Sequence, residues 1–434
     1  MPLRKISSWS HILPTVTDYI DCNQSTLLNL SSMPSPCIPR GAGRSYGDAA
    51  YVTNGTTLSL ESFDKILAFD DEHGLLTCQS GVRMIDIFDY LENSSWTLPV
   101  GGGTRWVTVG GAIGSDIHGK NHFHEGSFGN HIESMQVLLA SGESLLCSAA
   151  REDDLYKATI GGMGLTGVIQ AATIKLKKAA SKTLLMKSKA ITSPQECTAY
   201  FSEHNHPFEV AWLSLTGKNL QGVYYEGQFV QGAQETSYKK IRPIEINFPR
   251  IKLFNNFLLR FLNEFRYRTQ INKNEITHIK DFHYQVDILK HWNKFYGRKG
   301  FHEFQFAVPA PHLEVVLDRF ISEYKRHRLT PFFAVLKKFG PIPPQGLISF
   351  PLEGYTLMAD FEYRAENEKF FQTFIDFVLE LGGRTYLAKD SYTTAAQFEK
   401  MYENLTTWRE TVKKFDPQKK FQSDLSRRLN LKNW

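Results

Sequence analysis

The chain has 434 residues, is 42% hydrophobic and 22% charged, and carries a formal net charge of +5. That length leaves room for two or three domains with sizeable cores, and the composition excludes a disordered chain, a collagen-like fibre and a disulfide-stapled miniprotein. No apolar run reaches the roughly eighteen residues of a spanning helix, and the N-terminal MPLRKISSWSHILPTV lacks the uninterrupted apolar core of a signal peptide.

Five cysteines (Cys22, Cys37, Cys78, Cys147, Cys197) form no CxxC pair. Their odd number fits reduced thiols, buried as small hydrophobes in a cytoplasmic protein. Residues 56–80 read as short strands around a turn: TTLSL, KILAF, DDEHG, LLTCQ. Met84, Ile87, Phe88 and Leu91 then recur at helical spacing. Residues 132–147 alternate as a hairpin about Ser141-Gly142, and 167–178 read as another strand. Beyond about 180 the elements lengthen and become aromatic-rich. Strands are expected near 209–215, 303–308 and 353–361, helices near 311–326 and 366–382, and a helical tail over 394–413. The sum is an α+β pattern.

The basic excess sits in one place. Between Lys239 and Gly300 there are fourteen Lys/Arg and five Asp/Glu, a local net charge of +9 against −4 for the remainder. Within it Ile251, Phe254, Leu258, Leu262 and Phe265 recur at helical spacing among Arg250, Lys252, Arg260, Arg266 and Arg268. A basic amphipathic helix of this kind suits a membrane surface, or an apolar stripe facing its own core. No nucleic-acid motif accompanies the charge, so no nucleic-acid partner is expected.

Three glycine-rich loops carry the chemistry: Pro39–Asp48 (PRGAGRSYGD), Gly101–Lys120 (GGGTRWVTVGGAIGSDIHGK) and Gly161–Gly167 (GGMGLTG). Glycine clusters let a backbone approach a ligand and turn its amides toward phosphate oxygens, so a phosphate-bearing cofactor is expected. The literal GxGxxG at Gly162, Gly164 and Gly167 is followed by a strand pattern and by no acid over 175–189, so a Rossmann site is rejected. No GxxxxGK[ST] occurs. His118, His122 and His124 lie beside Lys120 without HExxH spacing, which suits a cofactor-lining or structural role better than a metal site; no metal is expected. Lys389 ends a strand-like YLAK, where it can snorkel to solvent or, buried beside a cation, act as a base. Glu303 and Gln305 alternate with Phe304 and Phe306 and so share one strand face; Lys337 follows an apolar run.

GAGRSYGD, TRWVTVGGAIGSDIHGKNHF, GSFG, GGMGLTG, YLAKDS and SDLSRRL together resemble the flavin subunits of polyprenylphosphoryl-ribose 2′-epimerases, the decaprenylphosphoryl-β-D-ribose oxidase family of the vanillyl-alcohol-oxidase flavoprotein superfamily. The resemblance covers about 36–180 and 300–430 and is loosest over 200–300. It implies a two-domain α+β fold. An FAD domain would be built from residues 1–182 and 384–434 around a substrate domain, 183–383, with an antiparallel sheet. It implies FAD contacts at Arg40, Gly41, Ala42, Gly43, Arg44, Ser45, Tyr46, Gly47, Asp48, Gly103, Thr108, Val109, Gly110, Gly111, Ser115, Asp116, Ile117, His118, Val168, Ile169 and Tyr386. Catalytic roles fall on Lys389, Tyr46, His118 and Lys120, and substrate contacts on Gln305, Glu303, Lys337 and Met358. Superfamily lactone and alditol oxidases often bond flavin covalently through a histidine where this chain has Arg44, so the FAD is expected to be non-covalent. Met358 stands where mycobacterial members have a cysteine, and Glu303 where they have a glutamine.

The implied reaction is oxidation of the 2′-hydroxyl of a polyprenylphosphoryl-β-D-ribose, its C2 hydride passing to flavin N5. A short-chain NAD(P)H-dependent reductase partner would complete the epimerisation, and peripheral contact with the inner face of the plasma membrane would give access to the lipid. A soluble sugar-lactone or alditol oxidase and a non-catalytic membrane-associated flavin-fold protein remain as alternatives.

Overall fold

The computed structural model describes residues 3–179, 181–203, 206–217, 220–230, 244–247, 249–253 and 256–434. Lys239 and Phe254, named above, lie outside the described residues.

Strands β1 (Leu3–Ile6), β2 (Thr15–Asp21), β3 (Cys37–Arg40) and β4 (Thr56–Ser59) form a sheet in the order β1-β2-β4-β3. β3 and β2 both pair parallel to β4, which delivers the first glycine loop from the end of β3. The second sheet is antiparallel. It contains β5 (Ile66–Asp70), β6 (Leu75–Gln79), β7 (Ile132–Leu138), β8 (Ser144–Cys147) and β9 (Val168–Lys175), in the order β5-β6-β9-β7-β8. Helix α1 (Met84–Tyr90) buries Met84, Ile87 and Phe88 in the associated core, as its spacing predicts. The third glycine loop runs directly into β9 and opens no helix; Gly164 has φ +77°, and a Cβ there would meet Pro39 Cγ at 3.2 Å.

The third sheet is antiparallel and has eight strands: β10 (Thr183–Ile191), β11 (Phe208–Ser214), β12 (Gln221–Phe229), β13 (Asn274–His278), β14 (Phe301–Val308), β15 (Pro331–Phe339), β16 (Gly354–Glu362) and β17 (Arg384–Thr385). Their order is β13-β10-β12-β11-β15-β16-β14-β17. Between these strands lie α3 (Asn256–Gln270), α4 (Leu313–Arg326) and α5 (Glu368–Glu380), with the short α2 (Val109–Gly114) upstream in the second glycine loop. Phe304 and Phe306 of β14 pack against Phe320 of α4 and Phe374 of α5. Strand alternation therefore turns Glu303 and Gln305 to the opposite face, as expected.

Three expectations need correction. The helical tail is two helices, Ala395–Phe398 and α6 (Leu405–Phe415). Phe398, Met401, Tyr402 and Leu405 are all buried at helical spacing, so the periodicity runs through a segment whose backbone turns. Lys389 lies in a 3-10 turn, Leu387–Lys389, after the two-residue β17, and does not end a strand. The basic helix starts at Asn256, so Ile251 precedes it. The five cysteines are buried and unbonded, and burial pushes the Cys22 thiol up to about 12.

Candidate active site

The three glycine loops meet one face of the eight-stranded sheet around a cavity of about 780 Å³. In the first loop, the Arg40 guanidinium donates to Ala50 O at 3.0 Å and closes the bend. Gly43 sits at φ +61° against that guanidinium, where a Cβ would be 2.1 Å from Arg40 Nη2. Arg44 crosses the Trp9 ring at 4.0 Å. In the second loop, Asp287 Oδ2 accepts from the Arg105 amide at 2.6 Å, and both Asp287 oxygens accept from Thr104 Oγ1 at 3.0 Å. Those bonds hold Gly103 against the cavity.

The cradle fits a nucleotide cofactor on two observations. A Cβ built on Gly103 meets nothing within 4 Å, so its backbone borders open space a ligand can enter. Ser80 Oγ and Arg44 Nε, both lining the cavity, have no hydrogen-bond partner among the described residues. Buried polar atoms of this kind need a polar partner.

Of the residues named from sequence, Arg40–Tyr46, Gly103, Thr108, Gly110, Gly111, Ser115, Ile117, His118, Ile169 and Tyr386 line the cavity, as do Lys120, Glu303, Lys337, Met358 and Lys389. Gly47, Asp48, Val109, Asp116, Val168 and Gln305 do not. Asp48 is paired with Arg428; Asp116 accepts from Ser127 Oγ and the Gly129 amide; Val109 and Val168 are core residues. Gln305 stands behind the wall, its Nε2 2.9 Å from both His118 Nε2 and Thr356 Oγ1. Because that amide nitrogen donates, His118 carries its ring proton on Nδ1, which has no partner among the described residues. Burial, then Lys337 and other cations, holds His118 well below its usual value, so it is neutral.

The histidine cluster does not converge. His122 lies tilted against Phe339 at 4.2 Å and accepts from the Gly340 amide at Nδ1, while His124 is exposed. Among the described residues no group of His, Cys, Asp or Glu is placed to hold a metal ion.

Three lysines line the cavity. Lys389 Nζ pairs with Glu303, touches Met358 Sδ at 3.2 Å and lies 5.4 Å from the centre of the Tyr46 ring. Lys120 donates to Phe282 O. Burial, then Lys337 and Arg266, lowers Lys120 to about 7; burial, then Lys389, lowers Lys337 to about 7. Burial and the Glu303 charge push the Tyr46 phenol well up, so it stays a donor. Three amine groups from distant parts of the chain thus share one cavity, an arrangement that calls for an anion.

Helix α3 contributes leucines to the cavity wall, together with Asn263 and Arg266. Leu258, Leu259 and Leu262 of α3 line the cavity, while Phe257 and Phe261 on the outer side of the same helix are 83% and 61% exposed. The predicted stripe therefore divides: Leu258 and Leu262 face the cavity, and Phe265 faces outward. Among the described residues no helix is long and apolar enough to cross a membrane.

Residues the sequence reading missed include Ser80, Asp287 and Asp360, all on the cavity wall. For Asp360 a signal existed, since it is two residues from Met358 on a strand and shares its face. Ser80 and Asp287 carry no local signature.

The FAD binding domain family matches residues 25–148, and the D-arabinono-1,4-lactone oxidase family matches residues 354–429. The chain is 33% identical over 452 aligned positions to the decaprenylphosphoryl-β-D-ribose oxidase of Mycolicibacterium smegmatis, covering 99% of this chain and 98% of that protein. It is 33% identical to a putative D-arabinono-1,4-lactone oxidase of Neurospora crassa over 35% of this chain and 27% of that one. With L-gulonolactone oxidase of Mus musculus it shares 29% identity over 31% of this chain and 30% of that one.

Proposed function

Since the chain belongs to the decaprenylphosphoryl-β-D-ribose oxidase family of FAD-dependent oxidoreductases, we propose that it oxidises the 2′-hydroxyl of a polyprenylphosphoryl-β-D-ribose to a ketone. The observation that carries this reading is a single cavity lined both by Lys120, Lys337 and Lys389 and by Leu258, Leu259 and Leu262 of α3. A sugar phosphate suits the first and a prenyl chain the second.

FAD would be held without a covalent bond by the amides of Gly41–Gly43, by the close backbone approach at Gly110–Gly111, by Ser80 and Arg44, and by Tyr386 beside Ser115; when bound it supplies the hydride acceptor. Lys389, held between Glu303 and Tyr46, contacts the reacting hydroxyl and handles its proton. Tyr46 donates its hydroxyl to Glu303 and sets its ring beside Lys389, and neutral His118, fixed by Gln305, offers its Nδ1–H to the sugar. Lys120 and Lys337 hold the phosphate. Met358 shapes the pocket. Placement of this kind is worth several orders of magnitude in rate.

Residues 1–182 and 384–434 are assigned to the FAD domain and 183–383 to the substrate domain. The ketone is passed to a separate NAD(P)H-dependent short-chain reductase, giving net epimerisation to the arabinose form. The protein works in the cytoplasm, with α3 against the inner membrane face.

Anaerobic bleaching of the flavin by a polyprenylphosphoryl ribose tests the reading. Lys389→Ala should keep the yellow colour and lose about a hundredfold or more in bleaching rate; an unchanged rate removes the role. The lactone-oxidase match over residues 354–429 favours a second reading, oxidation of a soluble aldonolactone. Bleaching by free lactones but not by the lipid phosphate would select it.

A further inference from the structure

Two carboxyl groups stand beneath Lys389. Glu303 of β14 and Asp360 of β16 are directly opposite each other across an antiparallel pair, and both reach the cavity wall. They are 3% and 1% exposed. Like charges in direct cross-strand opposition destabilise a sheet, and two buried carboxyls in contact do not both ionise. The surrounding groups divide them. Tyr296 OH donates to Asp360 Oδ2 at 2.9 Å, Lys389 pairs with Glu303, and Tyr46 from the first loop hydrogen-bonds to Glu303. Lys337 of β15 and Tyr386 also act on Glu303 from their own elements. Burial and the Glu303 charge hold the Asp360 carboxyl well above the usual carboxylate range, so Asp360 keeps the proton and shares it with Glu303.

This arrangement changes what Lys389 can do. An ammonium in contact with a carboxylate has no lone pair with which to take a proton from an alcohol. We infer that Glu303, backed by a proton-bearing Asp360, is the final acceptor of the substrate hydroxyl proton, relayed through Lys389. The inference rests on the sugar-oxidation reading of the cavity. In the step, the hydroxyl O–H bond breaks and its proton moves onto Lys389 as Lys389 releases one of its own to Glu303. Lys389 ends with the charge it began with, and Glu303 ends as a neutral acid. The C–H electron pair departs as hydride to the oxidised flavin of the proposed reaction, and the C=O bond forms.

Two measurements on the FAD-loaded protein decide it. Infrared difference spectra at pH 7 should show a protonated-carboxyl C=O band in the wild type that Asp360→Asn lacks; identical spectra overturn the pair. The acid limb of flavin bleaching should move up by about one pH unit or more in Glu303→Gln, because an amine must then be neutral in place of an ionised carboxyl. An unmoved limb overturns the relay. Should Glu303→Gln fail to hold FAD, Asp360→Asn decides through the same limb: an amide keeps Glu303 ionised, so the limb stays within half a unit or so of wild type, and a larger upward shift overturns the relay. The infrared arm needs no substrate. If it succeeds while no lipid phosphate bleaches the flavin, the substrate reading has failed and the carboxyl pair stands, its limb then read with whichever sugar or lactone does bleach.

Discussion

Burial opposes the charge on Lys120 and Lys337, and each also faces another cation, which holds both near 7. The folded value lies below the unfolded one of 10.5, so folding penalises the protonated form. The penalty is complete below about pH 7 and fades as pH rises toward 10.5, where the unfolded chain also loses the proton. Lys120→Met should therefore raise the Tm of the ligand-free protein more at pH 6 than at pH 10, read by calorimetry. An anion in the cavity reverses the penalty, so phosphate-ester binding at pH 8 should take up protons. Titration calorimetry in two buffers of different ionisation enthalpy checks this, and equal heats in both would refute it. The same scale shows what composition hides: Lys120, Lys337 and Lys389 are unremarkable cations in the sequence and become a cluster only when folded.

At the scale of elements, α3 presents an apolar arc running from solvent to the cavity. Phe257, Phe261 and Phe265 are exposed, Leu262 is 40% exposed at the rim, and Leu259 is buried. Burying one such phenylalanine in a bilayer interface is worth roughly 1.5–3 kcal/mol. Phe261→Ser should thus lower co-sedimentation with anionic vesicles by about tenfold while leaving the flavin spectrum unchanged. Equal co-sedimentation would remove α3 from the membrane. Where burial is one-sided and local, pattern predicts structure well, as for β6, α1 and the β7–β8 hairpin. It failed at the tail because side-chain spacing does not report whether the backbone between Phe398 and Leu405 closes helical hydrogen bonds. It was also incomplete at α3, where apolar residues serve two faces with different surroundings.

Across the whole molecule, the chain's end locks its beginning. The Cys37 amide donates to Lys420 O and the Gln422 amide to Cys37 O, so the last segment runs beside β3. Arg428 then grips Asp48 through two bonds of 2.8 and 2.9 Å and reaches Asp390 at 2.9 Å, tying the first glycine loop to the turn that carries Lys389. Arg428→Ala leaves two carboxylates buried without that partner and should cost about 3–5 kcal/mol in urea unfolding, with weaker retention of FAD. A loss below about 1 kcal/mol would show that the clamp is dispensable.

By itself the sequence determined the α+β character, the strands and helices with one buried face, and three loops whose backbones can approach phosphate. These depend on residue type and short spacing, which act locally. Only the tertiary structure decided that Lys120, Lys337 and Lys389 share a cavity, that Gln305 stands behind His118, and that Glu303 opposes Asp360. Those relations depend on strand register and on contacts between residues hundreds of positions apart, which no local periodicity encodes.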